Sequence, residues 1–170
     1  MGIILAQIFR IIGSVFSIIS DKSNNMKKIF IFNSIGNFFN GISYFFIDAI
    51  TGGIGNLIAI LRNVIFYKYK DKVKISTLIV YFIITILLSI KSITEIISVI
   101  PIVLVIIYSC AIYTNKPIVI KYSVLVICLL EIIYDFVYHA YVGIVVCIID
   151  ITLILYNLLK TDEKAKFNAS

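Results

Sequence analysis

The chain has 170 residues, of which 61% are hydrophobic and 14% charged, and its mean hydropathy is +1.09. So little polar surface cannot cover a water-soluble globule of this size, and the composition therefore predicts a protein whose solvent is the lipid bilayer. The net charge of +6 and the pI of about 9.2 do not indicate nucleic-acid binding. The basic residues lie in short gaps between apolar segments, where they suit an anionic membrane surface.

Seven apolar segments follow one another along the chain and predict an all-α membrane protein with seven transmembrane helices. They are too long, and alternate too little, for the strands of a membrane barrel. A helix needs about 20 residues to cross the hydrocarbon, so the third and fourth segments are near the lower limit. A six-helix alternative would need one gap to be re-entrant. The segments are 3–20, 29–49, 52–67, 75–90, 96–113, 117–138 and 143–159.

The lysines fall in every second gap between the segments, which predicts the orientation of the chain in the membrane. Lys91 is the exception, in an opposite gap. Positive residues collect on the cytoplasmic side, so we expect the amino terminus outside and the carboxyl terminus in the cytoplasm. Twelve of the fifteen basic residues share that side: Lys22, Lys27, Lys28, Lys68, Lys70, Lys72, Lys74, Lys116, Lys121, Lys160, Lys164 and Lys166.

An internal repeat predicts the architecture. A shift of 91 residues places segments two and three over segments six and seven, and both halves run in the same direction. We therefore expect two parallel three-helix bundles, residues 1–71 and 94–160, joined by a linker helix in 72–93 and followed by a cytoplasmic tail in 161–170. The matching positions are Phe45, Ala49, Gly52 and Asp71 with Phe136, Ala140, Gly143 and Asp162.

Polar residues inside the segments recur at helical spacing and predict faces that point away from lipid. A charged group at the bilayer centre costs about 2.5 to 3.5 kcal/mol, and five lie within segments. Asn56 and Asn63 share a small-residue face of the third segment, which also suits close helix contact. The other stripes are Gln7, Arg10, Ser14 and Ser17; Asn33, Asn37, Asn40 and Tyr44; and Glu131, Asp135 and His139.

Two basic and two acidic groups are predicted to lie at similar depth near mid-membrane, counting about 1.5 Å per residue. Arg10 could pair with Asp150 and Arg62 with Glu131, or the reverse. One interpretation is a static network that holds the bundles together, and the other gives some of these groups a solute or proton role. For Arg62, a third interpretation is that its side chain extends to the cytoplasmic face.

Three segments in the first half carry a resemblance to a known family. Residues 17–28 (SIISDKSNNMKK), 37–40 (NFFN) and 52–67 (GGIGNLIAILRNVIFY) resemble the YgjV family of bacterial inner-membrane proteins. The residues match well over 14–71. In the second half only the arrangement of the segments matches, and not the residues. That family is similar to the PQ-loop group, which includes the SWEET and SemiSWEET sugar carriers, so the resemblance implies an inner-membrane location and a SWEET-like carrier scaffold.

Two departures from that group affect the substrate expected from the resemblance. The Pro-Gln pair that names the PQ-loop group is absent from the first segment, and the chain has no tryptophan, which the bacterial sugar carriers have in their pocket. The resemblance therefore does not imply a sugar. By analogy with kinked helices that act as hinges, Pro101 in the outer third of the fifth segment is a hinge candidate.

We therefore predict a carrier that moves a small polar solute by alternating access between the bundles, along a path between segments one, two, five and six. The alternative is a non-transporting accessory or immunity-type protein whose internal charges are structural. The expected partners are the bilayer and the solute, a homo-oligomer is left open, and nucleic acid is not expected. The predicted path residues are Arg10, Asn37, Asn40, Asn56, Asn63, Glu131, Asp135 and Asp150.

Enzymatic activity, a cofactor and a metal site are not expected. There is no metal-binding cysteine or histidine motif, and the short loops leave no room for a soluble catalytic domain. Cys110, Cys128 and Cys147 are interpreted as packing residues inside segments. His139 invites a proton-relay hypothesis with Asp135, but a solvated histidine at the outer interface is favoured.

Overall fold

The computed structural model describes residues 2–69, 75–90 and 95–167, which are helical apart from short turns and contain no strand. A 3-10 turn, Ile96–Val99, leads directly into the fifth α-helix. The all-helical class and the seven helices predicted from the sequence are confirmed. The helices are α1 (Gly2–Lys22), α2 (Met26–Phe46), α3 (Ile50–Tyr69), α4 (Ile75–Ser89), α5 (Ile100–Tyr113), α6 (Pro117–Val137) and α7 (Tyr141–Phe167).

Five of these helices, α1, α3, α5 with its 3-10 turn, α6 and α7, are long and apolar enough to cross a membrane. Helix α2 has the length, 21 residues, but its asparagines and two lysines make it more polar. Helix α4 has only 15 residues, fewer than the 20 or so that span the hydrocarbon. Crossing of the membrane by α2 and α4 therefore stays a prediction.

The outer surface of the bundle is apolar along nearly all of its helices. Ile4 on α1 and Phe136 on α6 are each 67% exposed, and Leu87 on α4 is 63% exposed. A water-soluble monomer rarely exposes large contiguous apolar surface. By contrast, Arg10 and Asp150 are buried, at 3% and 6% exposure, so their charges are turned away from the lipid-facing surface as predicted.

The chain begins several helices with residues suited to a helix start. The side chain of Asn25 precedes α2 and accepts a hydrogen bond from the backbone N–H of Lys27 at 3.0 Å. Pro101 and Pro117 stand in the first turns of α5 and α6, where a missing N–H costs no intrahelical bond. These local signals set the turns, and packing of the polar faces then sets the arrangement of the helices.

Six helices form a ring, and α4 packs on its outside. Around the ring α1 packs on α2, α2 on α3, α3 on α5, α5 on α6, α6 on α7, and α7 on α1. Helix α4 contacts α3 and α5 through its buried face of Leu78, Tyr81 and Thr85. The ring therefore places α3 opposite α7 and α2 opposite α6.

Glycines allow α1 and α2 to approach closely. A Cβ added at Gly36 would lie 2.7 Å from Ser17 Oγ and 3.0 Å from the carbonyl oxygen of Gly13. A Cβ at Gly13 would in turn lie 2.9 Å from the carbonyl oxygen of Gly36. Small residues at both sides of a crossing let helix backbones meet within a membrane, where packing rather than water exclusion drives association.

The turn between α2 and α3 and the turn between α6 and α7 have the same conformation. Asp48 and His139, 91 residues apart, both adopt left-handed backbone angles, with φ of 57° and 56°. Each is followed by a buried alanine, Ala49 or Ala140. The repeat predicted from the sequence thus has a local structural counterpart here, whereas its Asp71 match lies outside the described residues.

Candidate functional site: a polar cavity inside the helix ring

The ring surrounds a partly open cavity of about 140 Å³, which has room for about ten water-sized groups. Every helix of the ring supplies part of its wall, and its polar residues come mainly from the stripes seen in the sequence. No residue of α4 is among those that line it. The polar and charged residues of the wall are Ser17, Asp21, Asn33, Asn37, Asn40, Tyr44, Asn56, Arg62, Tyr108, Glu131, Tyr134 and Asp150.

Arg10 forms an ion-pair cluster at one side of the cavity. Its Nη2 atom donates to Glu131 Oε1 at 2.5 Å and to Asp135 Oδ2 at 2.8 Å. The Tyr44 hydroxyl donates to Asp135 Oδ1 at 2.7 Å, and the Tyr44 ring lies 4.7 Å from the Arg10 guanidinium carbon. Because Glu131 and Asp135 are four residues apart on α6, both carboxylates reach the same guanidinium.

Arg62 has a different environment, made of neutral groups. Its Nε and Nη2 atoms donate to Asn63 Oδ1 at 3.1 and 2.9 Å, and Nη2 also donates to Asn33 Oδ1 at 3.4 Å. Its guanidinium carbon lies 4.6 Å from the centre of the Tyr108 ring. Of the carboxylates that the structure describes, none lies within 4.0 Å of Arg62, although this side chain is only 2% exposed.

Two acidic side chains of the wall have no ion-pair partner in the described parts of the chain. Asp150 on α7 is 6% exposed, and Asp21 lies at the end of α1. The cavity therefore carries one unpaired cation on α3 and unpaired acids on α7 and α1.

Amide side chains line the part of the wall formed by α2 and α3. Asn33 Oδ1 accepts hydrogen bonds from Asn37 Nδ2 at 2.9 Å and from Asn63 Nδ2 at 2.8 Å. Asn56 Nδ2 donates to the carbonyl oxygen of Gly52 at 2.8 Å. The Oδ1 atom of Asn40 is buried and has no hydrogen-bond partner among the described residues. This wall can therefore offer neutral hydrogen-bonding groups to a solute.

The structure brings most, but not all, of the predicted path residues to the cavity. Five of them line the cavity: Asn37, Asn40, Asn56, Glu131 and Asp150. The other three are not among the lining residues: Arg10, Asp135 and Asn63. A role in a solute path stays a prediction for all eight.

The predicted charge pairing was partly wrong. Arg10 does not pair with Asp150, and Arg62 does not pair with Glu131. The reverse arrangement is half right, since Arg10 does pair with Glu131, but within the described chain Arg62 has no acidic partner. Depth gives the position of a group along the membrane normal but does not predict which helices are neighbours. Groups at equal depth can therefore lie on different sides of the ring and form no ion pair.

Several wall residues were not predicted as part of the site. Asp21 was assigned to a gap because Lys22 follows it, yet α1 continues through both. Asn33 and Tyr44 belong to the same stripe as Asn37 and Asn40, so the stripe itself was the signal for them. Tyr108 and Tyr134 lie in apolar segments, where tyrosine gives no comparable signal.

Pro101 stands in the first turn of α5, directly after the 3-10 turn, and is buried against the cavity. The expected kink inside a continuous helix is therefore wrong, since no intrahelical bond is lost in a first turn. A Cβ added at Gly55 would lie 3.5 Å from the Pro101 Cβ, so α3 packs closely here. A hinge role for Pro101 stays a prediction.

The histidine and the cysteines lie apart from any metal-ligand cluster in the described residues. His139 is exposed, and its Nδ1 atom lies 3.0 Å from the Tyr141 hydroxyl rather than against the Asp135 carboxylate. Cys128 and Cys147 are buried, Cys110 is exposed, and all three are free thiols.

Positions 91 residues apart repeatedly line the cavity together. Both members of each pair belong to the wall although the side chains differ, so the two halves present corresponding helix faces to the same space. The five pairs are Ser17 with Tyr108, Asn33 with Val124, Asn37 with Cys128, Asn40 with Glu131, and Ala59 with Asp150.

The protein is a helical membrane protein. Its exterior is apolar, its interior is polar, and several of its helices are long enough to cross a bilayer. The family model Imp-YgjV, described as bacterial inner membrane protein, matches residues 4–165. The chain therefore belongs to this family of bacterial inner-membrane proteins, as the sequence predicted. No curated protein and no solved structure matches it.

Proposed function

We propose that this protein is a carrier that moves a small polar solute across the inner membrane by alternating access between α1–α3 and α5–α7. The observation that carries the proposal is the cavity of about 140 Å³, which has amide and charged walls inside an otherwise apolar ring. Polar groups buried at membrane depth are costly unless they face water, a solute or one another. A solute site is one arrangement that accounts for them.

The position of the cavity also supports a carrier. Both halves contribute to its wall, often from corresponding positions such as Asn40 and Glu131. In carriers built from repeated bundles, the solute site lies where the repeats meet, and movement of one bundle against the other changes its access. The resemblance to PQ-loop and SWEET carriers noted in the sequence agrees with this scheme.

The proposal is tested by uptake of labelled solutes into proteoliposomes that contain the purified full-length chain, with a panel of sugars, polyols, amino acids and vitamins. For a transported solute, Asn56→Ala should lower uptake about 5- to 10-fold, since it removes a wall hydrogen-bonding group worth about 1 kcal/mol. Leu57→Ala is the matched control, because Leu57 is the next residue of α3 and faces outward at 46% exposure. Uptake no faster than in empty vesicles for the whole panel would contradict the proposal.

A second candidate is a non-transporting accessory or immunity-type protein with structural internal charges. The Arg10 cluster favours it, because Glu131 and Asp135 already neutralise this guanidinium through its Nη2 atom without a solute. The environment of Arg62 favours the carrier instead, since no described carboxylate neutralises it. If no solute of the panel is taken up although the purified chain is stable and well folded, the accessory role is the candidate that remains.

A further inference from the structure

The charges of the cavity wall are separated across the ring. Arg62 is on α3 and Asp150 is on α7, and these helices are opposite each other. Asp21, at the end of α1, also lines the cavity and is half-buried. One side of the cavity therefore carries a guanidinium without an acidic partner, and the other carries carboxylates without a basic partner, as far as the structure describes the chain.

Arg62 and Asp150 are buried, and a charged group is expensive to bury alone. The hydrogen bonds of Arg62 go to Asn63, Asn33 and Ser109, which are neutral acceptors and do not cancel its charge. Arginine prefers a carboxylate or phosphate, with which it forms short charge-assisted hydrogen bonds. A buried acid likewise needs a cation or a proton. The wall thus lacks an anion at Arg62 and a cation at Asp150.

We propose that the cavity binds a small zwitterion, with its carboxylate at Arg62 and its ammonium group at Asp150. This inference rests on the proposed function and names its substrate class, amino acids and similar compounds with the two charges a few bonds apart. A zwitterion supplies a carboxylate for the guanidinium end of the cavity and an ammonium group for the carboxylate end, and it has no net charge. A neutral sugar or polyol satisfies neither, and a simple carboxylate or amine satisfies only one.

The wall between the two ends fits the remainder of such a solute. Asn37 and Asn56 line this part of the wall, and their amide groups are of the kind that exchange hydrogen bonds with an ammonium or hydroxyl group. The cavity has room for about ten water-sized groups, which limits the solute to a short side chain. The cavity therefore selects by the presence of two opposite charges and by size.

The test measures binding to the purified full-length chain in detergent, by calorimetry or by a shift of the melting temperature. The zwitterionic probes are glycine, alanine, serine and β-alanine, and the single-charge and neutral analogues of alanine are propionate, ethylammonium and glycerol. At least one zwitterion should bind, and its three analogues should bind at least tenfold more weakly. Equal binding of a zwitterion and either single-charge analogue would overturn the proposal, as would no binding of any zwitterion.

Two variants assign the ends of the site. Asp150→Asn should weaken zwitterion binding at least tenfold and leave propionate binding unchanged, because the carboxylate end remains. Arg62→Gln should weaken zwitterion binding to the same degree and leave ethylammonium binding unchanged. If Arg62→Gln does not fold, Asp150→Asn decides alone, and an equal loss of alanine and propionate binding in that variant would overturn the assignment.

Comparison of binding with uptake separates this inference from the carrier function. Zwitterion binding without any uptake supports the site and contradicts the carrier. Uptake of a neutral polyol without zwitterion binding overturns the site and leaves the carrier intact.

Discussion

The Tyr44 hydroxyl donates to Oδ1 of Asp135 at 2.7 Å, and these two residues stand 91 positions apart, at corresponding places in the second and sixth helices. Phenol and carboxylate thus complement each other at positions that match in the repeat. Two identical carboxylates there would repel, and two phenols would leave Arg10 without this acidic partner. The Tyr44–Asp135 hydrogen bond therefore depends on a sequence difference between the two halves. Two identical halves would carry the same residue at both positions and could not form it.

Removal of Arg10 should destabilise the protein strongly. In Arg10→Met, the Glu131 and Asp135 side chains lose their cation, while the Asp135 carboxylate stays fully buried and that of Glu131 stays part-buried. Breaking such a buried pair from one side typically costs about 3 to 5 kcal/mol. Unfolding in detergent or mixed micelles, followed by circular dichroism, measures the change.

The matched variant for this prediction neutralises the whole cluster. Arg10→Met combined with Glu131→Gln and Asp135→Asn leaves no unpaired charge, so it should recover most of the lost stability. A triple variant no more stable than Arg10→Met would show that shape, rather than charge, holds these residues together.

Gly143→Ala should disturb the same cluster from the side of α7. A Cβ at this position would collide with the Asp135 carboxylate and lie 2.8 Å from Arg10 Nη2. Overpacking of a tight interior typically costs about 1 to 3 kcal/mol, and here it also displaces an ion pair. The melting temperature in detergent reports the loss.

The control for Gly143→Ala is Gly55→Ala, on α3. There the added Cβ would meet Pro101 Cβ at 3.5 Å and Val105 Cγ2 at 3.6 Å, which are ordinary van der Waals distances. Its stability should change by less than about 1 kcal/mol. Equal losses in the two variants would mean that helix flexibility, and not the collision with the ion pair, determines the effect.

The orientation of the chain is open to chemical labelling. Single cysteines at Asp48 and Asn115, both in exposed turns, are introduced after Cys110, Cys128 and Cys147 are changed to alanine. Because lysines collect at the end of the bundle that contains Asn115, Asp48→Cys should react with a membrane-impermeant maleimide on intact cells, and Asn115→Cys only after lysis. The opposite pattern would reverse the predicted topology.

The sequence predicted those features that depend on residues close in the chain. The seven helices follow from apolar runs separated by turn residues, and the inward faces follow from stripes such as Asn33, Asn37, Asn40 and Tyr44, whose spacing is local. Burial of Arg10 and Asp150 follows from the free energy of placing a charge in hydrocarbon.

The features that sequence reasoning did not predict depend on which helix lies beside which. Counting along a helix gives the depth of Arg10, Arg62 and Asp150, but not their positions around a ring. Pro101 stands in the first turn of α5 rather than in mid-helix because the apolar run starting at residue 96 contains a 3-10 turn before α5, and hydropathy does not distinguish the two. Tertiary arrangement, and not local propensity, decided both.

Helix α4 lies outside the ring and contributes nothing to the cavity wall among the described residues. A unit of three antiparallel helices ends on the side of the bundle opposite to its start. A second unit can therefore have the same orientation as the first only if the chain crosses back once more between them, in one additional traverse. The predicted crossing of the membrane by α4 would supply that traverse. The predicted two-bundle topology therefore has a testable consequence: co-expressed fragments that end before and begin after residues 70–74, or residues 91–94, should reassemble into the intact ring.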